Sequence, residues 1–234
     1  MKTALENGSA GTGAAGSRAA ETRAVETGLV MTGAVDVQVH EDVWVRVAEG
    51  STGPPHPADA RAAVGMPPWR AREFLAGRGV LRDLLAAVAP WARDAEVAAT
   101  ATGKPVLAGV PGVGVSVSHD GGAVAAAVAL RRAVGVDLQR PPAELPAGVV
   151  RRCLRERAAE LDRLPEAERA VELARVWTVQ EACVKAEGTG LAGRPWAIDV
   201  PARPVSGRWR RFGWVALRDA VDVPLSCAFE EWTC

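Results

Sequence analysis

Two carboxylates stand where the surrounding residues are apolar. Glu181 lies in the run WTVQEACVK, residues 177–185. Wound at 100° per residue, Ala170, Leu173, Ala174, Trp177 and Val184 share one face, and Glu168, Arg169, Glu172 and Arg175 share the other. Glu181 falls in the middle of the apolar face, one turn after Trp177 and one turn before Lys185. An uncompensated buried carboxylate costs several kcal/mol, and a whole domain has only ~5–15 kcal/mol to spare. Glu181 therefore requires a cation. Lys185 offers one as an i,i+4 pair, worth ~0.3 kcal/mol on an exposed helix. Asp137 poses the same problem on a strand. In VGVDLQ, residues 134–139, Val134, Val136 and Leu138 alternate with Gly135, Asp137 and Gln139. Arg140-Pro141-Pro142 then ends the strand. Alone, Glu181 reads as an i,i+4 pair with Lys185, and Asp137 as a strand-end carboxylate at the surface or one paired with an arginine. Together they admit a hard divalent cation such as Mg²⁺, which takes one or two protein carboxylates and fills its shell with water and phosphate oxygens.

Other residues carry weaker signals. His119 ends a strand before a Gly-Gly turn, where a structural hydrogen bond serves as well as a functional role. Lysine occurs only at Lys2, Lys104 and Lys185, against 25 arginines, and Lys104 sits in a Gly-Lys-Pro loop. Arg70, Arg72 and Arg78 form either a solvated helix face or a phosphate clamp, since guanidinium matches phosphate geometry. Ser116 and Ser118 read as ordinary strand residues, and no nucleophile elbow is present.

These residues need elements to position them. Residues 1–33 are rich in Gly, Ala, Ser, Thr and Glu without an apolar period, and are expected to form a disordered tail. The GTGAAG within it follows no strand, so it is not a dinucleotide fingerprint. VDVQVHEDVWVRV (35–47) alternates as a strand or hairpin. Residues 67–89 follow a 3.6-residue period. VGVSVSH (113–119), a turn at 120–122 and AVAAAVAL (123–130) predict a hairpin, and 134–139 the next strand. Helices are expected over 146–162 and 165–188, and strands over 209–218 and 223–232. Strands and helices occur in both halves without strict alternation, which gives an α+β class. A weak duplication relates VSVSHD (115–120) to PLSCAFEE (224–231).

Composition sets limits. The chain has 234 residues, 48% of them hydrophobic, enough for a core. With 28 basic and 28 acidic residues, it lacks the basic excess of a non-specific nucleic-acid binder. No apolar run reaches the ~20 residues of a membrane span, and no secretory leader is evident. Cys153, Cys183, Cys227 and Cys234 have no zinc spacing and read as reduced cytosolic thiols.

Three segments, VSVSHDGGAVAAAV (115–128), VGVDLQ (134–139) and WTVQEACVKAEGTGL (177–191), now line up in order. Together they resemble the 4'-phosphopantetheinyl transferases, in particular the larger Sfp-type group. That family shows a Ser-His-Ser segment, then G-(V/I)-D-x-E, then W-x-x-K-E-(A/S)-x-x-K-x-x-G-x-G-L. The last is matched at Trp177, Glu181, Ala182, Lys185, Gly188, Gly190 and Leu191. Glu73, Phe74, Arg78 and Arg82 in E-F-x-x-x-R-x-x-x-R, and the Gly-Lys-Pro, also look like family features. The resemblance covers about residues 43–230.

What it implies is an α+β pseudo-dimer of two similar α/β halves, 34–132 and 133–234, with the active site in the cleft between them. The implied reaction moves 4'-phosphopantetheine from coenzyme A to a serine of an apo acyl or peptidyl carrier protein, leaving 3',5'-ADP. It implies Mg²⁺ held by Asp137 and Glu181, with Gln139 at the position of the family's second acid. Glu181 would be the general base and Lys185 would contact the diphosphate. Arg70, Arg78, Lys104, Ser118 and His119 would hold the phosphates of coenzyme A. A cytoplasmic monomer is expected, serving polyketide, nonribosomal peptide or fatty acid synthesis. The alternative is a non-catalytic coenzyme A or carrier-protein binding module of the same fold. Three positions depart from the pattern: Gln139 for Glu, Gln180 for Lys, and Asp120 for Ser. The amide at 139 predicts weaker Mg²⁺ binding than a carboxylate; no consequence is assigned to the other two.

Overall fold

Valines at every second position build the first sheet. They form strands β1 (Val35–His40) and β2 (Val43–Ala48), joined as an antiparallel hairpin. The structure, a computed structural model, describes residues 33–50 and 53–231. The expected tail thus lies outside the described residues, apart from Gly33. Next come α1 (Pro57–Ala62), α2 (Pro68–Val88), β3 (Val97–Ala99), β4 (Pro105–Leu107), β5 (Val113–Asp120) and β6 (Ala123–Leu130). The sheet runs β1-β2-β6-β5-β4-β3, antiparallel throughout. Helix α2 begins on a proline, which suits a position whose N–H has no helical partner. Its Val80, Leu81, Leu84 and Leu85 are buried against Val115, Val124, Ala126 and Val128, each such side chain contributing ~2 kcal/mol.

A second, four-stranded sheet belongs to the rest of the chain. It is built from β7 (Val134–Leu138), α3 (Ala147–Leu154), α4 (Ala158–Asp162), α5 (Glu166–Glu187), β8 (Ser206–Trp209), β9 (Phe212–Ala216) and β10 (Leu225–Glu230). Its order is β7-β10-β9-β8, again antiparallel. Leu173, Val176, Val179, Ala182 and Cys183 of α5 share a core with Phe212, Trp214 and Ala228. Each half thus repeats one plan: a strand, a long covering helix, then a hairpin whose last strand pairs with the first. The orders β2-β6-β5 and β7-β10-β9 express it. The duplication is therefore one of topology, and it pairs β10 with β6; the local likeness of β10 to β5 pointed to the wrong strand.

Three other expectations change. The stretch 209–218 is not one strand but parts of two, β8 and β9, with Arg210 at φ 55° in the turn between them. The edge strands β3 and β4 have three residues each, too few to show alternation. Glu172, placed on a polar helix face, is only 2% exposed, and Arg175 (2.7 Å) and Arg218 hold it. The single-stripe reading of α5 fails because the helix is covered on two sides, by the sheet and by α3 with the turn at 195–197. Gln180 shows this directly. It is fully buried, and its Nε2 donates to the carbonyls of Cys153 (2.8 Å) and Ile198 (2.9 Å). A lysine there would carry a charge into that core.

The two sheets meet where β7 lies along the face of β5. Among the described residues β7 has no strand partner on its other side, so its outward N–H groups need acceptors. Ser116 Oγ accepts from Val136 N–H (3.0 Å) and Ser118 Oγ from Leu138 N–H (3.4 Å). Gly135 faces α5 instead, where a Cβ would drive into the Ala182 carbonyl and the Ala186 nitrogen. Sequence and packing together thus press helix, strand and first sheet onto one another around Asp137. Among the described residues no helix is long and apolar enough to cross a membrane, and Cys153, Cys183 and Cys227 are free and buried.

Candidate active site

Asp137 and Lys185 form the centre. Asp137 is on the α5 side of β7 and only 5% exposed. Lys185 Nζ donates to its Oδ1 (2.6 Å), to Ser118 Oγ (3.1 Å) and to the Val136 carbonyl (3.3 Å). Ser118 Oγ in turn donates to the same Oδ1 (2.7 Å). Burial pushes the Asp137 carboxyl up, while the Lys185 ammonium and the Ser118 hydroxyl pull it down. Ser118, expected to touch the ligand, donates to Asp137 and accepts the Leu138 N–H at the β7 edge.

Glu181 is one turn before Lys185 and half-buried. The i,i+4 pair read from the sequence is not what Lys185 makes, since its ammonium turns to Asp137. Glu181 Oε1 is buried and has no hydrogen-bond partner among the described residues. Burial, then the charge of Asp137, raises its pKa above the ordinary value, and Lys185 lowers it less. It lines a cavity of about 250 Å³ with Lys104, Ser116, Lys185 and the Gly188–Leu191 loop. Helix α5 ends here because Gly188 takes φ 83°, a left-handed conformation open to glycine.

A second cavity, of about 380 Å³, continues from the first and shares Gly103, Pro105 and Val117 with it. Arg70, Phe74, Arg78 and His119 line it. The structure thus brings together most of the residues singled out in the sequence, with differing engagement. Arg70 is exposed. Arg78 lies over the Phe74 ring (4.9 Å), and its Nη1 is buried without a partner among the described residues. Burial lowers its pKa. His119 Nδ1 is 3.9 Å from Glu73 Oε2. Lys104 Nζ donates to the Ala186 carbonyl near the end of α5, and burial lowers its pKa to about 8. Arg82, on the same helix, is not in the cavity; it forms a buried ion pair with Asp59 (2.5 Å).

Gln139 does not point at Asp137 through its amide nitrogen. Its Nε2 donates to Asp120 Oδ2 (3.1 Å), which also accepts the Arg140 N–H (2.6 Å). Two departures from the family pattern, at 120 and 139, therefore touch one another. Asp120 is the residue that sequence reasoning left without a role, and the exchange of acid and non-acid between the two positions was the available signal. Among the described residues no three His, Cys, Asp or Glu side chains gather into a ready-made metal cluster.

A larger cavity, of about 560 Å³, is lined in part by Gln139 and Arg140. Trp177, Leu173, Val149, Leu191 and Trp196 line it, with Arg152 stacked over Trp196 (3.9 Å). Trp177, expected on the buried face, forms part of its wall.

Comparison with known proteins places these residues. Residues 133–217 match the family model of the 4'-phosphopantetheinyl transferase superfamily. Over 134 residues the chain is 34% identical to the 4'-phosphopantetheinyl transferase HetI of Nostoc sp. (strain PCC 7120), an alignment covering 53% of this chain and 55% of that protein. The chain thus spans about half the length of the curated relative it matches. Asp137, Glu181 and Lys185 all fall within the residues that match that family model.

Proposed function

We propose that the chain transfers the 4'-phosphopantetheine group of coenzyme A to a serine hydroxyl of an apo carrier protein, with 3',5'-ADP as the other product. The observation that carries this reading is the Asp137–Lys185–Glu181 group, set at the seam of the two sheets inside the family-matched region. The acceptor Oγ attacks the phosphorus that bears pantetheine. An Oγ–P bond forms as the bond from that phosphorus to the bridging oxygen breaks, and 3',5'-ADP leaves with the electron pair. Glu181 takes the hydroxyl proton; its raised pKa is in the sense a base requires. Lys185 supplies positive charge where the leaving phosphate gains negative charge. Arg78, with a donor unspent, and His119 hold the 3'-phosphate end in the second cavity.

Asp137 and Glu181 fit a divalent cation. They are two carboxylates whose charges oppose each other, and one has an unpartnered oxygen. Asp137, Glu181 and the Gln139 carbonyl would hold Mg²⁺, which bound there neutralises the diphosphate.

Incubating the chain with coenzyme A, Mg²⁺ and a panel of apo carriers tests the reading by carrier mass. Added phosphopantetheine supports it; folded protein that modifies no carrier would leave only a binding module. A cytoplasmic monomer serving polyketide, nonribosomal peptide or fatty acid carriers is part of the proposal. The 560 Å³ cavity receives the pantetheine arm, its apolar walls facing the uncharged chain of the group.

Lys104 makes nucleotide binding depend on pH. A bound anion favours the ammonium form, but the free amine has a pKa of about 8. Affinity for 3',5'-ADP is expected to fall ~10-fold between about pH 7 and 9, as the proton that binding requires becomes costly. Lys104→Met should weaken binding ~10-fold at neutral pH and flatten that slope. Isothermal titration across pH measures both.

Carrier docking is assigned to α3 and the turn after it. Arg151 and Arg155 form no ion pair among the described residues, whereas Arg208, Arg210 and Arg211 are matched by Glu231, Glu187 and Glu230. Carrier proteins are usually acidic. Arg151→Glu with Arg155→Glu should therefore raise the KM for carrier by ~10-fold and leave that for coenzyme A unchanged. Reversal at 208 and 211 should do much less; equal effects would move the docking surface.

A further inference from the structure

We infer that Asp120 is a positioning residue that fixes the Gln139 amide, presenting its carbonyl end to the metal position. The inference rests on the transferase reading above, because that reading puts the metal beside Asp137. An amide has a donor end and an acceptor end, and an ionised carboxylate only accepts. Asp120 Oδ2 takes the Gln139 NH₂ at 3.1 Å, so the oxygen is the end left over. The arrangement is held rigidly. The Gln139 backbone N–H donates to the Pro224 carbonyl (3.0 Å). The Arg140 N–H donates to Asp120 Oδ2 (2.6 Å), and the Arg140 guanidinium to the Gly121 carbonyl (2.7 Å). The end of β7 is thereby clamped to the end of β5.

The pairing also explains why the two departures occur together. The family pattern places a hydroxyl at position 120 and a carboxylate at 139; this chain has a carboxylate at 120 and an amide at 139. A glutamate at 139 beside the native Asp120 would set two carboxylates against each other where a hydrogen bond now stands. Each would disfavour ionisation of the other. The acid has moved one strand over, still close enough for its charge to act on Asp137. The amide has become a neutral ligand whose orientation depends on it.

The test is a mutant cycle read by metal binding. Mn²⁺, a paramagnetic stand-in for Mg²⁺, is titrated into the full chain with saturating coenzyme A, and free Mn²⁺ is followed by electron paramagnetic resonance. Asp120→Ser is expected to weaken Mn²⁺ binding ~10-fold, the usual scale for losing a partner that orients a ligand. Gln139→Glu alone should not tighten binding, contrary to what the amide by itself predicts, because the native Asp120 opposes the new charge. The double variant, Asp120→Ser with Gln139→Glu, should bind at least as tightly as wild type, a non-additivity that two independent sites would not show. Should Asp120→Ser fail to fold, Asp120→Asn keeps an acceptor for Arg140 N–H and should still weaken binding ~5-fold. Unchanged affinity in the position-120 variants, or a tightening by Gln139→Glu that ignores residue 120, overturns the inference and leaves the transferase reading intact. Wild-type protein that binds no Mn²⁺ overturns the inference together with the metal assignment.

Discussion

Glu181→Gln is expected to lower the rate of phosphopantetheine transfer by at least ~100-fold, the lower end of what a positioned base contributes, while coenzyme A binding measured without Mg²⁺ is retained. Glu181 Oε1 has no hydrogen-bond partner and Lys185 is engaged with Asp137, so the amide breaks no structural bond. It has the same shape and cannot take a proton at neutral pH. Stability should hold or rise. Burial and the charge of Asp137 already disfavour the ionised Glu181, and a neutral side chain removes that penalty at neutral pH. The sign also fixes the pH profile. The base acts ionised, and its pKa lies above the ordinary value of ~4.3. In the metal-free chain its carboxyl should accordingly titrate at higher pH than an exposed glutamate, as carboxyl NMR shifts would show. Single-turnover transfer followed by carrier mass, with parallel melts, decides the matter. Retained transfer would remove Glu181 as the base.

Much of the site was legible because two acids violated their local patterns. Asp137 interrupted an apolar strand and Glu181 an apolar helical turn, and the structure brings both to one seam. Lys185 was legible as a cation near Glu181, but its true partner was not. Helical spacing shows neighbours along one element, and Asp137 reaches Lys185 across two. Ser116 and Ser118 were illegible for a related reason. A serine that alternates within a strand looks ordinary until another strand's unpaired edge is laid against it. Glu172 and Gln180 were misplaced or unexplained because a helix covered on two sides has no single apolar stripe. The hairpins of the first sheet came through because they depend only on local alternation and a Gly-Gly turn. The resemblance pointed to candidate residues, and the packing shows what each of them touches.

Lys185→Met tests whether the central pair is structural as well as catalytic, and its stability effect should be the largest of any substitution here. It removes the ammonium from Asp137 (2.6 Å) and leaves a carboxylate that is 5% exposed with Ser118 as its remaining side-chain donor. Breaking a buried pair in this way costs ~3–5 kcal/mol, or a melting temperature lower by roughly 10 °C for a chain of this size. The loss should shrink in acid. Burial raises the Asp137 pKa even with Lys185 present, and raises it further without; a folded state that holds its proton more tightly than the unfolded chain gains stability as pH falls through that pKa. Adding Asp137→Asn removes the charge that had lost its partner, so the double variant should regain most of the lost stability. Transfer should stay abolished in both, because neither restores a cation beside the diphosphate. Melting curves at neutral and acid pH, with carrier mass as the activity readout, separate the two roles. Additive stability losses would mean that Asp137 and Lys185 do not depend on each other. Recovered folding without recovered transfer would show that the fold tolerates a neutral centre and that the charges are retained for the chemistry.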